Sequence, residues 1–139
     1  MKPITREMIK IYGIKDFDFM GYDIKNKQNL SFHHLIVAHR DCKRLHVPHD
    51  GYTLRNGAIL VQNTSHDYLH LIEKIDPEIF CFLTSEMIDM NLKGKLDIEN
   101  LRQIRDLLLY FENEYDRKRD KHGKLLIKRE YVHNRFNWE

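Results

Sequence analysis

Nine of the 139 residues are histidine, and four of these fall in two tight pairs, His33-His34 and His66/His70. Histidine carries protons at neutral pH and is a common metal ligand. His66 and His70 are four apart, so in a helix both imidazoles emerge on one face of a single turn. Two rings so placed hold a divalent ion. A third ligand from a neighbouring strand gives three protein ligands with open positions, the pattern of a catalytic site rather than a closed structural one. His33 is the candidate third ligand. His34 then stays unligated and free to take a proton from water, with an ordinary pKa near ~6.5 suited to that task. Neighbours in a regular strand point to opposite faces, so both can serve one site only if the strand bends or ends at this pair. The amide of Asn56 would brace the loop carrying His34 and hold its ring in one orientation.

The elements that must position these side chains are readable from local chemistry. Residues 4–12 predict a short helix ended by Gly13, and residues 30–37 a strand. Residues 38–56 read as a polar loop punctuated by Pro48, Asp50 and Gly51. Gly57–Val61 reads as a second strand. A helix follows, with Thr64 or Ser65 as cap and His66 and His70 in its first turns. Asp76-Pro77-Glu78 predicts the start of another helix that Gly94 ends. Asp97 caps the last, whose stripe runs Ile98, Leu101, Ile104, Leu108, Phe111 and Tyr115. The expected class is α+β, mainly helical, in one domain over 1–139. Within it lie a two-strand-and-helix core at 28–75, supporting helices at 76–116 and a basic C-terminal tail at 117–139.

The runs Leu30-Ser31-Phe32-His33-His34-Leu35, Asn56-Gly57-Ala58-Ile59-Leu60 and His66-Asp67-Tyr68-Leu69-His70-Leu71-Ile72-Glu73 resemble the HNH endonucleases. The likeness is to the small ones of phages and mobile elements, with a histidine-rich motif similar to that of colicin nuclease domains. It implies a ββα-metal (His-Me finger) fold and hydrolysis of phosphodiester bonds, most often in DNA. It implies His34 as general base, Asn56 as orienting residue, and His33, His66 and His70 as ligands to one divalent metal. Mg, Mn, Zn, Ni and Co are the candidates, and imidazole donors suit the later transition metals better than magnesium. Two features depart from the family pattern. There are no cysteine pairs for a structural zinc. Asn56 also stands ten residues before His66, which predicts a small bulge after the second strand. Two other readings compete. One is a non-catalytic HNH-like regulator, of phage or mobile-element origin, that binds nucleic acid or protein. The other follows from His66-Asp67-Tyr68-Leu69-His70, which resembles the His-Glu-x-x-His helix of zinc peptidases with a shorter acid, but that reading leaves His33-His34 unexplained.

Charge points to the same partner. The formal net charge is +2, yet residues 117–135 hold eight Lys/Arg against two acids, while residues 1–116 carry a net −3. Expected phosphate contacts are Arg40, Lys43, Arg44 and Arg55 near the histidines, and Lys118, Arg119, Lys121, Lys124, Lys128 and Arg129 in the tail. Such contacts give affinity without sequence information, to DNA first and to RNA as an alternative. Phe136 and Trp138 are expected to pack against the body rather than to stack on bases. A double-strand cut by so small an enzyme is easier for a homodimer. The longest apolar runs, Ile79–Leu83 and Leu107–Phe111, are five residues, far short of the ~20 a membrane helix needs. The first six residues lack the apolar stretch of a secretory signal. Cys42 and Cys81 are isolated from each other. A cytoplasmic protein is expected.

Overall fold

The computed structural model describes residues 1–24, 29–128 and 131. Helix α1 (Pro3–Tyr12) begins with proline at its first position and ends at Gly13, whose φ of 64° suits glycine and whose N–H closes on the Ile9 carbonyl. Strand β1 (Leu30–His34) pairs antiparallel with β2 (Gly57–Val61), in a register that sets His33 opposite Ala58 and His34 opposite Gly57. Between them lie a one-turn helix α2 (His39–Cys42) and two 3₁₀ turns, Pro48–Gly51 and Leu54–Asn56. Three helices follow: α3 (Ser65–Ile75), α4 (Pro77–Lys93) and α5 (Ile98–Tyr115). The architecture is a mixed α+β one, with a two-stranded antiparallel sheet among helices.

All five residues of β2 are buried, because the strand is covered on several sides. β1 takes one edge. On the other, the Phe19 N–H donates to the Ile59 carbonyl at 3.0 Å, while helices α1, α3 and α4 all touch the strand. A continuous apolar run fits a strand with no solvent face. Helices α4 and α5 form a hairpin that buries Leu83, Met87 and Met90 with Leu101, Ile104, Leu108 and Phe111. Its two caps are those expected: Asp76 accepts from the Ile79 N–H at 3.2 Å and Asp97 from the Glu99 N–H at 2.9 Å. Asn91, buried near the end of α4, donates at 2.6 Å to the Leu54 and Gly57 carbonyls and so ties this hairpin to the start of β2.

Several expectations are corrected. β1 stops at His34 rather than 37, since the N–H groups of Ile36 and Val37 go to the Asn56 side chain instead of a partner strand. The polar loop at 38–56 contains helical turns. The spacing between Asn56 and His66 is absorbed after the second strand, where the irregularity was expected, by a turn at 62–64. Thr64 stands at the N-cap of α3, as expected, but makes no side-chain cap bond; the Ser65 hydroxyl donates to Asp18. The basic tail is not a free arm where it is described. Residues 118–126 form a small hairpin around Asp120. Ile127 and Tyr131 are buried in the core, with Tyr131 stacked on Tyr68 at 5.4 Å. Arg129, Phe136 and Trp138 lie outside the described residues.

Residues 14–24, to which no element was assigned from sequence, supply Ile14, Phe19, Met20, Tyr22 and Ile24 to the core. Their organiser is Asp18, fully buried, which accepts from the N–H groups of Met20, Tyr22 and Val61 and from Ser65. Burial pushes its carboxyl up to about 6, against the pull of these four donors. A folded-state pKa above the unfolded value means that the native state binds the extra proton. The group's contribution to stability is therefore greatest below the unfolded value and is lost as pH rises through about 6. The stability gap between the wild type and Asp18→Asn is expected to widen by about 2 kcal/mol from pH 7 to pH 4. Urea denaturation across that range measures it, and a constant gap would show that the carboxyl does not titrate inside the fold.

Candidate metal centre and adjoining cleft

His33 on β1 and His66 and His70 on α3 converge. One ring nitrogen from each lies within 4.8 Å of those of the other two, and the ring centroids form a near-equilateral triangle with sides of 5.2, 5.2 and 4.9 Å. The buried face of α3, Tyr68, Leu69 and Ile72, fixes the helix against the core and so sets the rotation that turns its two histidines to β1. His33 is 4% exposed; His66 is partly buried and His70 exposed.

Two of the three rings are oriented by hydrogen bonds. Ser31 lies on the same face of β1 as His33. Its Oγ is 3.3 Å from the Leu60 carbonyl, to which it donates, and 2.6 Å from His66 Nδ1. With the hydroxyl proton spent on Leu60, Oγ accepts from His66 Nδ1–H, and the lone pair of His66 is left on Nε2. Glu73, one turn beyond His70, stands 3.4 Å from His70 Nδ1 and has the same effect. His66 Nε2 faces His33 Nδ1 at 3.3 Å, about the separation of two nitrogens bound ~2.0–2.1 Å from one tetrahedral ion. His33 Nε2 is buried without a hydrogen-bond partner among the described residues. Burial and the neighbouring imidazoles hold His33 down to about 3 and His66 down to about 4, so both are neutral at pH 7, the form that ligates a metal. The donor set fits a divalent cation.

His34, the last residue of β1, is not part of this triangle. Its ring packs edge-on against Tyr52 at 4.7 Å, with Phe32 at 5.1 Å and His39 at 5.2 Å, and its Nε2 is 2.9 Å from the Asp50 carbonyl. Burial lowers its pKa. The two histidine pairs nevertheless share one cleft of about 690 Å³, whose walls include His33, His34, His66 and His70, with Arg40 and Lys74 at its margins. Asn56, 6% exposed, uses its whole amide. Oδ1 accepts from Ile36 and Val37 N–H, both at 2.8 Å, and Nδ2 donates to the Val37 and Gly51 carbonyls, both at 3.0 Å. It thus clamps the chain leaving His34 to the turn that follows Asp50.

The expected phosphate contacts divide. Arg40 lines the cleft. Lys43 and Arg44 are exposed at the end of α2, Arg44 paired with Asp41 at 3.5 Å. Arg55 is exposed and has partners in the fold. Its guanidinium donates at 3.3 Å to the Asn91 and Leu92 carbonyls, capping α4, and it does not line the cleft. Lys118, Arg119, Lys121, Lys124 and Lys128 are exposed around the 118–126 hairpin, and none of them borders the cleft. Asp67, which the peptidase-like reading needs beside the metal, is exposed and also absent from the cleft wall.

Sequence reasoning missed Ser31, His39, Asp50, Tyr52, Glu73 and Lys74. Three of these had a signal. Ser31 shares a strand face with His33, and Glu73 and Lys74 follow His70 at helical spacing. Asp50 acts through its backbone, which no residue type announces.

Ser31→Ala is expected to weaken Zn²⁺ or Ni²⁺ affinity by about 10–100-fold, the usual effect of removing an outer partner of a ligand. His66→Ala should weaken it further. Calorimetric titration measures both, and an unchanged Ser31→Ala affinity would show that the hydroxyl does not orient His66. No protein-family model, curated protein or solved structure matches the chain, so the geometry of these histidines is what bears on function.

Proposed function

We propose that the chain is a metal-dependent endonuclease of the HNH type, built on a ββα-metal arrangement of β1, β2 and α3, that hydrolyses phosphodiester bonds in DNA. One observation carries the reading: three imidazoles converge, while a fourth borders the same cleft outside their triangle. This is the division of labour that such chemistry requires.

His33, His66 and His70 hold the ion. When bound it supplies Lewis acidity at a phosphate oxygen and neutralises charge at the leaving 3′-oxygen. The three neutral nitrogen donors favour zinc, nickel or cobalt over magnesium. His34 takes the proton of the attacking water, and Asn56 keeps the chain behind it fixed. Arg40 and Lys74 receive the phosphates that flank the scissile one. The exposed cations of the 118–126 hairpin extend the positive surface away from the cleft and add affinity rather than chemistry.

His34→Ala is expected to slow metal-dependent nicking of supercoiled plasmid by about 10²–10⁴-fold while metal affinity stays within twofold. A panel of Mg²⁺, Mn²⁺, Co²⁺, Ni²⁺ and Zn²⁺, with a matched RNA substrate alongside, gives the measurement. Wild-type rates in His34→Ala, or no cleavage with any ion, would overturn the reading. Arg40→Ala should weaken DNA binding and lower the salt slope by about one unit. Arg55→Ala should instead cost on the order of 1 kcal/mol of stability and leave DNA affinity unchanged, which filter binding and thermal melts separate.

A further inference from the structure

The concave surface does not end at His34. Phe32 and Tyr52, which line the metal cleft with that ring, also line a second groove of about 280 Å³. Lys2, Ser31 and Gln62 are among its other walls, and no acidic residue is, among the described residues. A third hollow, of about 490 Å³, shares Lys2 and Tyr52 with this groove but has Glu7 in its wall. A polyanion that leaves the cleft past Tyr52 therefore meets a carboxylate along one route and none along the other. Charge favours the smaller groove.

Lys2 stands just before α1, exposed, with its ammonium 4.4 Å from the centroid of the Tyr52 ring. That ring packs 4.7 Å from the ring of His34. The two contacts together hold the charge within about 9 Å of His34. An aromatic face attracts a cation through its quadrupole but carries no formal charge. Tyr52 thus positions the ammonium without neutralising it. Arg44, by contrast, is paired with Asp41, while no carboxylate pairs with Lys2 among the described residues. A long side chain held in place beforehand also loses less entropy when a ligand arrives. Gln62, exposed in the same groove, adds an uncharged donor.

We propose that Lys2 and the acid-free groove beside Tyr52 form a phosphate-binding extension of the cleft, which holds the nucleic-acid strand on the His34 side. The proposal deepens the nuclease reading and rests on it for the identity of the ligand. Lys2 takes a phosphate beyond the scissile one, so it supplies affinity and alignment rather than chemistry.

The test separates charge from packing. Lys2→Met keeps the length of the stem and removes the charge, and Lys2→Arg keeps both. Binding to a short fluorescein-labelled DNA duplex is read by anisotropy over a salt series, in EDTA so that no strand is cut. Lys2→Met is expected to weaken binding by about three- to tenfold at low salt and to lower the salt slope by about one unit. Lys2→Arg should stay within twofold of the wild type, and both variants should melt as the wild type does. With metal present, Lys2→Met should raise KM for plasmid nicking and leave kcat within twofold. In the wild type, bound duplex should slow reductive methylation of Lys2, read by mass spectrometry, whatever the variants do. An unchanged salt slope in Lys2→Met, equal weakening by both substitutions, or methylation of Lys2 at the same rate with and without DNA overturns the proposal. A wild type that binds no DNA overturns it together with the nuclease reading. A wild type that binds DNA but cuts it with no ion ends the nuclease reading alone, while the salt slopes still decide the role of Lys2.

Discussion

A strand sends adjacent side chains to opposite faces, and a site that needs both His33 and His34 must break that rule. The Asn56 amide does so. By taking the N–H groups of Ile36 and Val37 it ends the β1 ladder at His34, and by donating to Gly51 it fixes the turn against which His34 rests. All four polar contacts are made in a nearly solvent-free setting, where a fully satisfied amide is rigid and a half-satisfied one is costly. Asn56 thereby ties both walls of the cleft beside His34 to each other.

The metal triangle depends on a different kind of support. β2 is sealed between β1 and the Asp18 segment, and its carbonyls and N–H groups are partners to residues that touch the site indirectly. Leu60 receives the Ser31 hydroxyl that orients His66, and Val61 donates to the Asp18–Ser65 pair at the start of α3. The sheet and the helix are thus locked in register before any ion arrives. Among the described residues, His33 Nε2 is buried and has no partner. A buried polar atom without a partner costs stability. An ion that binds only the folded chain contributes its binding free energy to the fold; held at His33 Nδ1, the nitrogen that faces His66, it would leave Nε2 unpaired.

The helices were legible because their ends are written in local chemistry. Gly13, Asp76-Pro77, Gly94 and Asp97 act on their immediate neighbours, and each stands where a cap or stop was expected. The i, i+4 pair His66/His70 was legible for the same reason. The 14–24 segment was not, because Asp18 organises it through bonds to Val61 and Ser65, more than forty residues away. The charge of Arg55 is visible in a sequence, and the carbonyls that it caps at the end of α4 are not. The early end of β1 and the role of Asp50 share that cause: both are decided by main-chain atoms meeting a distant side chain. Ser31 stood two residues before His33, on the face of the strand that mattered, and the period of two was enough to find it.

The central claim is spatial: His33, His66 and His70 take one ion and His34 does not. A crystal structure of the protein grown with Zn²⁺ or Ni²⁺, with the ion located by its anomalous scattering, tests it most directly. The account predicts one peak bonded to a nitrogen of each of the three histidines at about 2.0–2.2 Å, with His34 unligated and still held by the Asp50 carbonyl. An ion seated elsewhere, or one that counts His34 among its ligands, would contradict it.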